Sequence, residues 1–293
     1  MNLFALVASF GGGIIGAYMG ALPAFILTGV IAIAGSVAAM AGGADMTVGL
    51  FAFGPILVPI SPLPVVWRLP LRRQDKEAGQ RNGHSVLSEW TGRPCYAAGR
   101  RCVWRNRFSH SLSDWTVLHL NTDLPGFTVI LSAVIARLVF GSGGLIGKAA
   151  PGESREYFTS GRGMLCNVIL GLGLGTTTGF VYQALLDGGA SAVVIGSYPV
   201  LCFGIAAVSL IFAQTGFAMP ATHHIALISA LAAVSSQNPV MGIVFGILTA
   251  LFGDFVGKTF NSCCDTHIDP PAFTIFVFTF IVNIIFGSGF FSV

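Results

Sequence analysis

The stretch CCDTHIDPPAFTIF, residues 263–276, sets two carboxylates, a histidine and a double proline directly against a run apolar enough to enter a bilayer. Its pattern recurs in NTDLPGFTVI at 121–130, where Asp123 aligns with Asp269, Pro125 with Pro271, Phe127 with Phe273 and Thr128 with Thr274. Each copy opens a strongly apolar segment. Self-similarity of this kind has to be followed along the chain before single motifs are weighed, because a missed repeat mis-assigns the whole fold.

Composition sets the class. Hydrophobic residues fill 54% of the 293 positions and charged residues only 9%, against roughly a quarter charged in a soluble domain. Long apolar runs recur, and a run of about 20 such residues crosses the hydrocarbon of a membrane. The chain therefore reads as an all-α, polytopic transmembrane bundle, and its 38 glycines suit close approach of membrane helices. The first run has no basic flank and is interrupted by GGG at 11–13, so it reads as a first span rather than a cleaved signal. Cysteines 95, 102, 166, 202, 263 and 264 are scattered, with two adjacent, which argues against a disulfide framework or a zinc knuckle.

Residues 57–120 break the pattern. All four tryptophans and ten of the fifteen Lys and Arg residues lie there, without clear helix caps or a periodic apolar face. Reading codons in shifted registers restores membrane-like sequence. LVPISPLPVVWRLP (57–70) permits Phe-Gly-Pro-His-Ile-Ser-Phe-Ala-Gly-Gly-Val-Ala-Ala-Ser, and the segment 96–120 permits a long apolar product containing Val-Phe-Gly. We expect single-base errors here to have replaced two native spans.

The repeat then extends upstream. LPAFILTGVIAIAG (22–35) resembles YPVLCFGIAAVSLI (198–211), and the first shifted product meets MPATHHIALISALAA (219–233), His-Ile upon His-Ile. The second product's Val-Phe-Gly meets Val244, Phe245 and Gly246. Each repeat holds about five spans by length: 3–19, 22–41, two lost spans near 50–70 and 96–119, and 126–141, then 163–186, 191–213, 219–236, 239–257 and 272–290. An odd number inverts the second copy. The expected organisation is a first membrane repeat at 1–141, a linker at 142–162 and a second repeat at 163–293, a plan common among secondary transporters. Lys148, Arg155 and Arg162 put the linker in the cytoplasm and both termini outside.

Several polar residues are candidates for solute or ion binding. His223 and His224 follow Met219-Pro220, where a proline suits the start of a broken or re-entrant helix with free N–H groups; imidazoles there could bind a solute or a proton, or simply sit at an interface. Asp265, His267 and Asp269 share one side if extended, as Pro270 favours, and could hold a cation or gate a path; a polar loop before the Pro270–Pro271 helix start is the plainer reading. Asp123 and Asp269 are expected at opposite gates, with Pro125 and Pro220 as further helix breaks. Asp254 is an ionisable group within a span, and Lys258, four residues on, is its expected partner. The strings GGGIIG, GLGLGTTTG and GSGGLIG lack the strand–turn–helix setting of a dinucleotide site and read as helix-packing surfaces.

The shifted Phe-Gly-Pro-His-Ile-Ser-Phe-Ala-Gly-Gly and DTHIDPPAFTI (265–275) resemble an uncharacterised family of bacterial multi-pass inner-membrane proteins. The resemblance implies a membrane fold and brings no substrate. The function expected is a permease or carrier for a small polar solute or ion, working by alternating access between the repeats, in contact with lipid and not with nucleic acid. No cofactor signature is found, and a second copy or partner subunit is compatible with the sequence. Two other readings stay open: an intramembrane metal-dependent enzyme built on His223, His224, Asp254, Asp265, His267 and Asp269, and a scaffold subunit. Adjacent histidines lie about 100° apart on a helix and no HExxH is present, which disfavours the enzyme.

Overall fold

The computed structural model describes residues 19–43, 52–53, 121–149, 154–264 and 266–287. The segment 57–120, with its shifted-frame reading, lies outside these residues, as do the first apolar run and Asp265. The described residues form helices joined by loops: α1 (Ala21–Met40), α2 (Leu124–Phe140), α3 (Arg162–Asp187), α4 (Ala192–Val208), a single turn α5 (Ile211–Gln214), α6 (His223–Ser236), α7 (Pro239–Asn261) and α8 (Pro270–Gly287).

Among the described residues, five segments are long and apolar enough to cross a membrane: Ala21–Met40, Arg162–Asp187, Ala192–Gln214, Pro239–Asn261 and Pro270–Gly287. Their outer faces carry exposed Val37, Ile169, Phe180, Val193, Ile205 and Ile284, a surface that lipid rather than water would cover. α6 is different. Its 14 residues reach only about 21 Å at 1.5 Å per residue, short of the roughly 30 Å hydrocarbon core, and it packs against α3, α4, α7 and α8. A full span at 219–236 was expected; the helix instead starts three residues after Pro220, because the chain from Phe217 to Thr222 is not helical.

Small residues bring the helices together. A Cβ on Gly171, Gly175 or Gly179 of α3 would stand 2.5, 2.6 and 2.5 Å from the carbonyl oxygens of Gly246, Gly242 and Pro239. Spaced four apart, the three glycines form one stripe along α3, and α7 runs antiparallel along it. GLGLGTTTG is thus a packing surface as expected. GSGGLIG is not: it forms the loop after α2, where Gly147 (φ 71°) lies against the Cys263 carbonyl with no room for a side chain.

Two further antiparallel crossings link the halves of the chain. α1 and α4 cross at Gly29 and Gly204, where a Cβ on either would come within 3.0 and 2.9 Å of the other's carbonyl oxygen. α2 and α8 cross at Gly126, whose Cβ would stand 3.0 Å from the Ala272 oxygen. Asparagines add a bond at one end of that crossing, Asn283 Nδ2 donating to the Asn121 carbonyl at 3.0 Å.

Candidate functional site

The two copies of the acidic-proline motif do the same local work. Asp123 accepts the Gly126 N–H at 2.5 Å through its side chain, and its carbonyl accepts the Phe127 N–H at 3.0 Å. Asp269 accepts the Ala272 N–H at 3.2 Å, and its carbonyl accepts the Phe273 N–H at 3.1 Å. Both are N-caps whose carboxylates satisfy otherwise orphaned donors and complement the positive helix end. Asp123 is half-buried, and burial pushes its carboxyl up to about 6 against the opposing Gly126 N–H.

Asp269 belongs to a cluster that Asp123 does not share. His223 and His224 open α6 with relative exposures of 4% and 6%. The His223 ring lies 4.5 Å from Phe25 of α1 and 5.6 Å from Phe203 of α4, and the two imidazoles are 5.7 Å apart. His224 Nε2 is set against α7, so closely that a Cβ on Gly253 would come within 2.8 Å of it. His267 Nε2 stands 3.9 Å from Asp269 Oδ1, beyond a hydrogen bond but near enough for a charge interaction. Burial pushes the Asp269 carboxyl up; His267, His223 and the Ala272 N–H outweigh it and hold the group below the ordinary carboxylate range.

The Nδ1 atoms of His223 and His224 are both buried without a hydrogen-bond partner. In either neutral tautomer Nδ1 offers a donor or a lone pair, and leaving it unmet costs about 1–3 kcal/mol. Thr222, the N-cap of α6, contributes no side-chain cap either. Several unmet polar groups thus converge at the start of one short helix.

Asp254 stands apart. Its carboxylate accepts the Thr159 N–H at 2.7 Å and hydroxyl at 2.5 Å, tying α7 to the linker. The expected Asp254–Lys258 pair is not made; Lys258 reaches Glu156 at 3.1 Å instead, since the linker brings both partners to the end of α7. Among the described residues no group of three His, Cys, Asp or Glu side chains is arranged to hold a metal.

Sequence reasoning passed over Arg137. It is fully buried near the end of α2, with Nε donating to Thr266 Oγ1 at 2.6 Å, Nη1 to the carbonyls of Leu145 and Phe260 at 2.8 and 2.5 Å, and Nη2 to the Thr266 carbonyl at 2.7 Å. Asn261 clasps the same loop through Ile268, donating to its carbonyl and accepting its N–H at 2.8 Å each. Together they hold the loop that presents His267 and Asp269. A lone strong base inside an apolar run was the available signal.

No curated protein and no solved structure matches the chain. Residues 175–293, which contain α6, α7, α8 and the whole histidine–aspartate cluster, match a protein family of unknown function (DUF7973).

Proposed function

We propose that the protein is an integral-membrane permease for a small polar solute or ion, built as two inverted repeats that rock about the His223–His224 site. The observation that carries this reading is the pair of buried imidazoles with unpartnered nitrogens at the start of a helix too short to cross the membrane. Transport folds put substrate and ion sites at such discontinuities near the middle of the membrane.

The inverted repeat draws support from three places. Asp123 and Asp269 cap equivalent helices with the same pair of bonds. The equivalent helices α2 and α8 cross antiparallel at the aligned residues Gly126 and Ala272, and α1 and α4 at Gly29 and Gly204, one position from alignment. A local two-fold axis between the repeats would produce both crossings. In this reading the linker at 142–162 is cytoplasmic, both termini are outside, and the membrane is a bacterial inner membrane. Residues 57–120 are read as two native spans displaced by compensating frame errors; resequencing codons 56–121 tests this, and an intact frame ends it.

The direct test is uptake into proteoliposomes across a panel of radiolabelled inorganic ions, amino acids and small amines. Accumulation above protein-free vesicles, lost in His224→Ala, is the expected result. A panel with no uptake, from protein that is folded and inserted, counts against the permease.

A further inference from the structure

We propose that the start of α6 is a binding site for a small monovalent anion, held by backbone N–H groups and by the imidazoles of His223 and His224. The proposal names the solute class of the permease and rests on that reading for transport, but not for binding.

A helix leaves its first N–H groups without intrahelical acceptors, and side chains commonly meet them. α2, α4, α7 and α8 do so through Asp123, Ser191, Asn238 and Asp269. α6 does not. Its first N–H to find an acceptor is that of Ala226, which donates to the Thr222 carbonyl at 2.9 Å; those of His223, His224 and Ile225 meet none among the described residues. Thr222 has helical rather than extended backbone angles (φ −115°, ψ −7°), and its hydroxyl does not fold back as a cap. Thr222, His223, His224 and Ile225 are all more than nine-tenths buried, so bulk water does not replace the missing cap.

The two side chains share this end of the helix. Cα–Cβ bonds tilt towards a helix N-terminus, so the rings of the first two residues project past the start of α6, where its N–H groups also aim. Nδ1 of each ring is buried without a partner. Sealed imidazoles stay neutral, and with the hydrogen on Nδ1 each ring adds a further donor. A cation would face these hydrogens; an anion accepts them and meets the positive end of the helix.

The surroundings set the charge it can carry. α1, α4, α6 and α8 contain no lysine or arginine, so dipoles alone compensate the ligand. That suits one negative charge on a weakly hydrated ion such as bromide or nitrate, whereas sulfate would bury a second charge without a counter-ion. The carboxylates of α7 and of the α8 cap keep their own partners, Asp254 with Thr159 and Asp269 with Ala272. Phe25 and Phe203, 4.5 and 5.6 Å from His223, wall the site. His224 packs on Gly253, which precedes the α7 end at Asn261 by eight residues, a depth of about 12 Å at 1.5 Å per residue. Broken helices of transporters present their N-termini to anionic groups within the membrane in the same way.

Thermal melting of the full chain in detergent tests the site without transport. Against gluconate at constant ionic strength, bromide and nitrate should raise Tm saturably, since ligands of the folded state stabilise it by mass action, and sulfate should not. Thr222→Asp supplies the missing cap and places a carboxylate where the anion would sit; it should melt higher than the wild type in gluconate and lose the bromide response. His223→Leu should weaken that response at least ten-fold in the bromide concentration needed. No saturable rise in the wild type overturns the proposal, as does a full response in both variants, which would put the anion elsewhere. Uptake of cations or amines by protein that ignores bromide removes the anion and leaves the permease. A bromide response with no anion uptake into proteoliposomes leaves the site and removes the permease.

Discussion

Arg137 shows how one residue sets the position of a site it does not touch. Its guanidinium donates to the Phe260 carbonyl at the end of α7 and to the Thr266 hydroxyl and carbonyl in the loop leading to Asp269, so Arg137→Leu would leave several buried acceptors unmet, at roughly 3 kcal/mol or more. A clear fall in Tm in detergent is expected, with only partial recovery in Arg137→Lys, whose ammonium cannot reproduce the planar fork. Gly253 acts more locally. Its missing Cβ leaves space for His224 Nε2, so Gly253→Ala is expected to displace that ring and lower uptake while costing little stability; unchanged uptake would show the ring's position to be immaterial. Asp123 offers a pH test. Its folded-state pKa is raised to about 6, so folding favours the protonated form; the associated stability is full below the ordinary carboxylate value and is lost as pH rises through about 6. Tm profiles between acid and neutral pH should therefore fall less in Asp123→Asn than in the wild type.

At the scale of elements, the α3–α7 pair is held by the absence of side chains. Gly175→Ala puts a methyl group 2.6 Å from a backbone carbonyl that cannot move alone, an overpacking cost of about 1–3 kcal/mol. Gly173, two residues earlier, has open space at its Cβ, and Gly173→Ala should melt as the wild type does. Equal Tm values for the two variants would mean that the stripe does not determine the packing. The periodicity of these glycines was legible in the sequence because the helix repeat converts a spacing of four into a single face. The end of α4 and the late start of α6 were less legible: an apolar run looks alike whether helical throughout or broken by an extended stretch.

Across the whole molecule, the acidic-proline motifs appear once per half, and the helices they open cross each other. Asp123 lies beside the crossing of α2 and α8, with its neighbour Thr122 donating to the Phe276 carbonyl at 2.7 Å. The topology is tested by cysteine labelling: Glu156→Cys in the linker should react with an impermeant maleimide only from the cytoplasmic side. Reaction from outside reverses the assigned orientation.

What the sequence by itself determined is the class of the protein and the helix starts that Asp123 and Asp269 cap. Scarcity of charge demands lipid-facing helices, and Asp and Pro side chains act on backbone groups within a turn, so their effect can be read where they stand. Only the tertiary structure decided which polar groups meet. Arg137 and Thr266 are 129 positions apart and bond at 2.6 Å, while Asp254 and Lys258, neighbours on one helix face, turned to other partners. Backbone capping is local and hence legible; the meeting of side chains depends on how helices cross, and here those crossings are set by glycines.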